Sequence, residues 1–113
     1  LISVRIFRGS DSGIRGFEVS GHAGYAPHGK DIVCSAVSAL CIAIANGLEK
    51  HSASPVYTEA AAGRLRVISQ GTGPDAAGID YSSSVLYDTL VEGLKAIAKE
   101  YPGRIRFTED LVD

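Results

Sequence analysis

The sequence contains no stretch in which roughly 20 apolar residues follow one another without interruption, the length a membrane-spanning helix needs. No membrane partner is therefore expected. The opening LISVRIFRG lacks a basic segment placed before an apolar one, so no signal peptide is expected there. Methionine is missing altogether, position 1 included. An excess of either charge is missing too: 11 Lys and Arg against 13 Asp and Glu leave −2 at pH 7, with a pI near 5.9. Such a chain has no global attraction to nucleic acid or anionic lipid, and direct nucleic-acid binding would need a local patch. Cysteine is scarce, with only Cys34 and Cys41, seven positions apart in one apolar run. On a helix their α-carbons stand about 10.5 Å apart, beyond the roughly 7 Å a disulfide can span. Both are expected to be free thiols, in keeping with a reducing, cytoplasmic location.

What is present is an ordinary globular balance. The 113 residues are 45% hydrophobic and 21% charged, which predicts one domain over 1–113 with a single modest core. Ile2, Val4 and Ile6 alternate with Ser3, Arg5 and Phe7; the turn signal 9–13 and the run IRGFEVS follow, predicting a hairpin. IVCSAVSALCIAIANGLEK, 32–50, is too long for a strand and apolar around most of its circumference, so it predicts a buried helix capped by Asp31, with Gly47 near its end. Runs at 55–59 and 64–68 flank Ala61-Ala62-Gly63 and predict a second hairpin. GTGPD, 71–75, reads as a turn; its proline removes an N–H that a phosphate loop would need. Leu86, Leu90, Leu94, Ile97 and Tyr101 recur at helical spacing from Tyr81 until Pro102-Gly103, and Arg104-Ile105-Arg106-Phe107 alternates as a last strand. The order is ββαββαβ. Alternating strands predict a two-layer α+β fold, a mixed or antiparallel sheet of about five strands with two helices on one face and a wetter opposite face.

The chemistry-bearing stretch is GHAGYAPHGKDIVCS, 21–35. A cysteine becomes a nucleophile as its thiolate, and a helix N-terminus beside an imidazole favours that form. Cys34 lies in the first turn after the Asp31 cap, where unpaired N–H groups are also placed to hold an oxyanion. His22 is separated from it by an eleven-residue loop that can fold back, which makes it the candidate general base. Gly21, Gly24 and Gly29 permit tight or left-handed backbone around Ala23 and a loop able to close over substrate. Ser38, one turn beyond Cys34, is a candidate to orient His22 or line the cleft. Asp31 is a cap, or also a polariser of His22. The bland readings stand beside these: Cys34 as a small core residue, Cys41 as core, His28 as a solvated loop residue and His51 as a cation at a helix C-terminus.

Two other chemistries compete. His22, His28, Asp31 and Cys34 are all zinc-ligand types within thirteen residues, although their spacing does not match the familiar ligand pairs. Alternatively Arg5, Arg64, Arg66, Arg104 and Arg106, at polar strand positions, form a basic sheet face for RNA, without the aromatic partners that base stacking requires.

The paired motifs GHA at 21–23 and DIVCSAVSAL at 31–40 resemble the ribosomal-processing cysteine protease family, Prp, and the likeness in length and element order runs along the whole chain. The resemblance implies a cytoplasmic endopeptidase that removes a short N-terminal extension from a large-subunit ribosomal protein precursor, cutting after an aromatic residue. It places the nucleophile on Cys34 and the base on His22, with supporting roles for Asp31 and Ser38. It also implies a cleft between the first helix and second strand, a homodimer, and no metal or organic cofactor.

Overall fold

A computed structural model describes residues 1–71 and 78–112. Of the predicted turn over 71–75, residues 72–75 lie outside the described residues. The elements run β1 (Ile2–Arg8), β2 (Ile14–Gly21), α1 (Ile32–His51), β3 (Val56–Ala61), β4 (Arg64–Ser69), α2 (Tyr81–Glu100) and β5 (Ile105–Leu111). The strands form one sheet in the order β3-β4-β2-β1-β5. β5 runs parallel to β1, and the other pairs are antiparallel, so the sheet is mixed.

Period-2 alternation sorts the side chains between the two faces. Val4 pairs with Val19 and Ile6 with Phe17, and Phe17 pairs with Val67; these apolar rows face the core with Val33, Val37 and Leu48 of α1 and Leu90 and Leu94 of α2. Each large apolar side chain buried there contributes about 1.5–3 kcal/mol from loss of apolar surface to water. Tyr87 is the largest fully buried residue, and its hydroxyl meets Ser69 Oγ at 2.6 Å. Burial pushes its phenol up to about 12.

The opposite face is polar but not a free basic surface. Arg5 and Arg66 sit directly across from Glu18 on the neighbouring strands, and Arg5, Arg64 and Arg66 all come within 3.2–3.7 Å of its carboxylate. Arg5 also pairs with Asp110, and Arg8 with Glu109. An aromatic ring does lie here: Phe7 is beneath the guanidinium groups of Arg5 and Arg66, yet at 2% exposure it has no face left to stack on a base. Arg104 precedes β5 and turns to the loop after β2 instead.

One expectation about α1 needs correction. The helix is not buried all round: Val33, Val37, Cys41, Ile44, Ala45 and Leu48 face the core, whereas Ile32 and Ile42 are more than half exposed. Its small and apolar outer side makes it, by length and composition, long and apolar enough to cross a membrane. Gly47 does lie near the end of the helix, as expected. The helix continues to His51 and ends at Ser52, while Gly47 lets Leu86 of α2 approach to 3.4 Å of where a β-carbon would stand. His51 does fall in the last turn, where a cation suits the helix dipole.

Candidate active site

Asp31 organises the segment between β2 and α1. Its Oδ1 accepts the N–H groups of Val33 and Cys34, both at 3.0 Å, which is the N-cap interaction. Its Oδ2 accepts those of Tyr25 at 2.9 Å and Ala26 at 3.4 Å. One buried carboxylate thus joins the loop to the start of the helix. Burial alone would raise this carboxyl, but the hydrogen bonds from the backbone of Cys34, Tyr25 and Ala26 outweigh it and hold the group below its ordinary value. Asp31 is therefore more than a cap, but among the described residues it makes no hydrogen bond to His22.

Cys34 is half-buried, the third residue of α1. The Ala23 N–H donates to its sulfur at 3.2 Å. The methyl of Ala23 is buried in the core, so Ala23 serves the site through its backbone and not as a cleft wall. With the N–H groups of Val33 and Cys34 spent on Asp31, these two helix-start donors are not free for an oxyanion; the donor nearest the sulfur comes from the loop. Cys41 lies 2% exposed, and burial pushes its thiol up to about 12. It is a core residue.

His22 follows the end of β2, where Gly21 adopts φ +87° and donates its N–H to Gly63 O at 3.0 Å. Gly63, at φ +72° in the turn between β3 and β4, has no side chain, and a β-carbon there would lie 3.6 Å from His22 Nε2. The exposed imidazole therefore rests against the β3–β4 turn. Among the described residues it has no hydrogen bond to the sulfur or to Ser38. Ring and thiol nonetheless both open onto one cleft of about 610 Å³ between α1, β2 and the β3–β4 hairpin, lined also by Ser38, Gly24, His28 and Gly29. Ser38 lines the cleft as expected. His28 is exposed, as its solvated reading required, and also faces this cleft. Gly24 and Gly29 take φ +65° and +84°, the left-handed backbone that glycine accommodates without a steric cost.

The zinc reading does not assemble: among the described residues no group of three or more His, Cys, Asp or Glu side chains is placed to share a metal. Sequence patterns also missed three contributors. Gly63 seats the histidine, Tyr101 meets the Tyr25 ring edge-on at 5.3 Å, and Arg104 Nη1 donates to Ala23 O at 3.3 Å and Gly24 O at 2.9 Å. Each comes from a distant part of the chain, and no local spacing signals it.

Comparison with known proteins places this geometry in a family context. A family model described as cysteine protease Prp matches residues 1–106. The ribosomal processing cysteine protease Prp of Bacillus subtilis (strain 168) is 26% identical over 115 residues, covering 99% of this chain and all of that protein. The structure of the ribosomal processing protease Prp from Staphylococcus aureus with a covalently linked product peptide shares the fold, with a TM-score of 0.83 and 21% identity over 97% of this chain and all of that one. The same protease with a substrate peptide gives a TM-score of 0.78 at 21% identity and the same coverage. A Streptococcus mutans protein, 23% identical over 99% of this chain and 96% of its own, gives 0.72.

Proposed function

The chain belongs to the cysteine protease Prp family, and from that premise we propose that it trims a ribosomal protein precursor with Cys34 as nucleophile and His22 as general base. The observation that carries the assignment is the environment of Cys34. Both thiols border the cleft, but Cys41 lies at its floor, 2% exposed and with its thiol pushed up to about 12 by burial. Cys34 is only half-buried, has an N–H aimed at its sulfur and shares the peptide-sized cleft with an imidazole.

The reaction follows from these positions. His22 swings from the β3–β4 turn toward the sulfur as substrate fills the cleft, a tightening that catalytic contacts commonly undergo on binding. His22 takes the Cys34 thiol proton, the resulting thiolate attacks the scissile carbonyl carbon, the S–C bond forms and the carbonyl π electrons move onto oxygen. The Ala23 N–H, already beside the sulfur, donates to that oxyanion. Protonated His22 gives its proton to the leaving amine and the C–N bond breaks. Water, deprotonated by His22, then attacks the thioester carbonyl; the C–O bond forms, the C–S bond breaks, the acyl group leaves as the carboxylic acid and the proton on His22 returns to the Cys34 sulfur. Asp31 and Ser38 support these groups, one by fixing the loop and helix start, the other from the cleft wall.

The substrate we assign is the short N-terminal extension of a large-subunit ribosomal protein precursor, cut after an aromatic residue. The names of the related proteases and the peptide complexes of the Staphylococcus aureus protein support a peptide substrate from ribosomal processing, and the extension and the aromatic cleavage site are what the resemblance of the motifs at 21–23 and 31–40 implies. The proposal includes a cytoplasmic site of action, where both thiols stay reduced, and a homodimer, which sedimentation of the native protein checks. The direct test is mass spectrometry of a peptide spanning such an extension, incubated with the wild-type protein, Cys34→Ala and His22→Ala, with and without a chelator. A single cut after an aromatic residue, insensitive to chelation and lost in both folded variants, is the expected result. Cleavage that persists in Cys34→Ala overturns the reading.

A further inference from the structure

Arg104 stands apart from most arginines of this chain. Arg5, Arg8, Arg15, Arg64 and Arg66 each pair with a carboxylate, whereas among the described residues Arg104 has none. Its Nη1 instead donates to two successive backbone carbonyls, Ala23 O at 3.3 Å and Gly24 O at 2.9 Å, and its guanidinium lies 5.5 Å over the Tyr25 ring. The Tyr25 ring is buttressed edge-on by Tyr101 from the end of α2. Arg104 is itself anchored: its carbonyl accepts the Ile2 N–H at 2.9 Å, where β5 begins to pair with β1.

The loop is therefore gripped from two sides. Asp31 takes the N–H groups of Tyr25 and Ala26, and Arg104 takes the carbonyls just before them. Gly24, at φ +65°, bends the backbone so that both carbonyls reach one nitrogen. With the carbonyl of Ala23 held, the orientation of the peptide unit before it is constrained as well, and that unit carries the N–H that meets the Cys34 sulfur at 3.2 Å.

We propose that Arg104 is a positioning residue for the protease: by clamping the Ala23 and Gly24 carbonyls it keeps the Ala23 N–H aimed at the Cys34 sulfur and, during the reaction, at the oxyanion. This rests on the reading of Cys34 as nucleophile. A charge-assisted hydrogen bond lost from a thiolate or oxyanion slows its chemistry about tenfold. Because the Ala23 N–H bears on the reacting atoms, while of the two clamped residues only Gly24 lines the cleft, the larger part of the loss falls on kcat and KM changes by about twofold or less.

The test measures two quantities for Arg104→Ala, Arg104→Gln and Arg104→Lys: the rate of Cys34 alkylation by iodoacetamide at fixed pH, read by peptide mass mapping, and kcat and KM for the precursor peptide. Arg106→Ala, an exposed position two residues on, is the control, and Cys34→Ala establishes that cleavage depends on the thiol. The expected result is slower Cys34 alkylation and a kcat about tenfold lower in the Ala and Gln variants, with partial rescue by Lys and no change in the control. A wild-type alkylation rate and kcat in folded Ala or Gln variants overturns the clamp while the protease assignment stands. Cleavage retained in Cys34→Ala overturns both. If the Ala variant fails to fold, Gln against Lys decides: equal activities at the wild-type level refute the proposal, and a Lys variant clearly faster than Gln supports it.

Discussion

Selective alkylation of the two thiols probes the local physics of the site before any substrate is in hand. Burial raises Cys41 from an ordinary 9.0 to about 12, which lowers its thiolate population near neutral pH about a thousandfold relative to an unperturbed thiol. A more basic thiolate is a stronger nucleophile, and this recovers about 20-fold. Ionisation alone therefore leaves Cys41 about 50-fold slower than an ordinary thiol. Its 2% exposure slows it further, because reagent must wait for the helix to open. Cys34 opens on the cleft with an N–H donor at its sulfur, so it should react at least as fast as an ordinary thiol. The assay is a quenched iodoacetamide time course at about pH 7.5 with each cysteine peptide quantified by mass spectrometry, which should show Cys34 labelled more than about 50-fold faster than Cys41. In denaturing urea the two rates should converge. Equal slow labelling of both in the native protein would refute the account of Cys34 as an accessible, activated thiol.

Three further outcomes concern the scaffold. Tyr87→Phe removes the hydroxyl that meets Ser69 Oγ at 2.6 Å in a buried setting, and should lower stability by about 1–3 kcal/mol in urea titrations with peptide cleavage unchanged; an unshifted midpoint would show that bond to be without net value. Gly16→Ala puts a β-carbon 2.3 Å from Val67 O in the sheet interior, so a loss of about 1–3 kcal/mol or more is expected, and a wild-type thermal midpoint would contradict the register of β2 on β4. Burial would raise Asp80, the cap of α2, but bonds from Ser83 and Ala53 outweigh it and hold the carboxyl at about 2 against an ordinary 3.8. Its stabilisation is present above pH 3.8 and is lost as pH falls from there toward 2, an effect of at most about 2.4 kcal/mol that partial exposure reduces to about 1. Asp80→Asn should accordingly flatten the fall of the thermal midpoint below pH 4, and parallel wild-type and variant curves would rule this linkage out.

The legible parts of this protein are those encoded within one element or one short loop. Alternation in Ile2, Val4 and Ile6 against Arg5, and the helical spacing of Leu86, Leu90, Leu94 and Ile97, specify strand and helix because side-chain direction repeats with the backbone period. Asp31 as a cap is likewise local, since its carboxylate reaches N–H groups two and three residues on. The histidine and cysteine were readable together for the same reason: a short glycine-bearing loop joins them, and the helix start sets the depth of the sulfur.

Tertiary structure decided what depends on contacts between distant segments. Only the parallel pairing of β5 with β1 delivers Arg104 to carbonyls 80 and 81 residues earlier in the chain. The β3–β4 turn gives His22 its seat on Gly63, and the order β4-β2-β1 gathers three arginines around Glu18, so that cations which in one dimension resemble a basic patch are partly neutralised. Similarly, the outer side of α1 is exposed because the two helices form a single layer on the sheet, whereas its composition alone suited a helix enclosed on every side. Periodicity reports which way a side chain points from its own backbone; which partner lies there is settled by the global packing that minimises exposed apolar surface and unpaired polar groups.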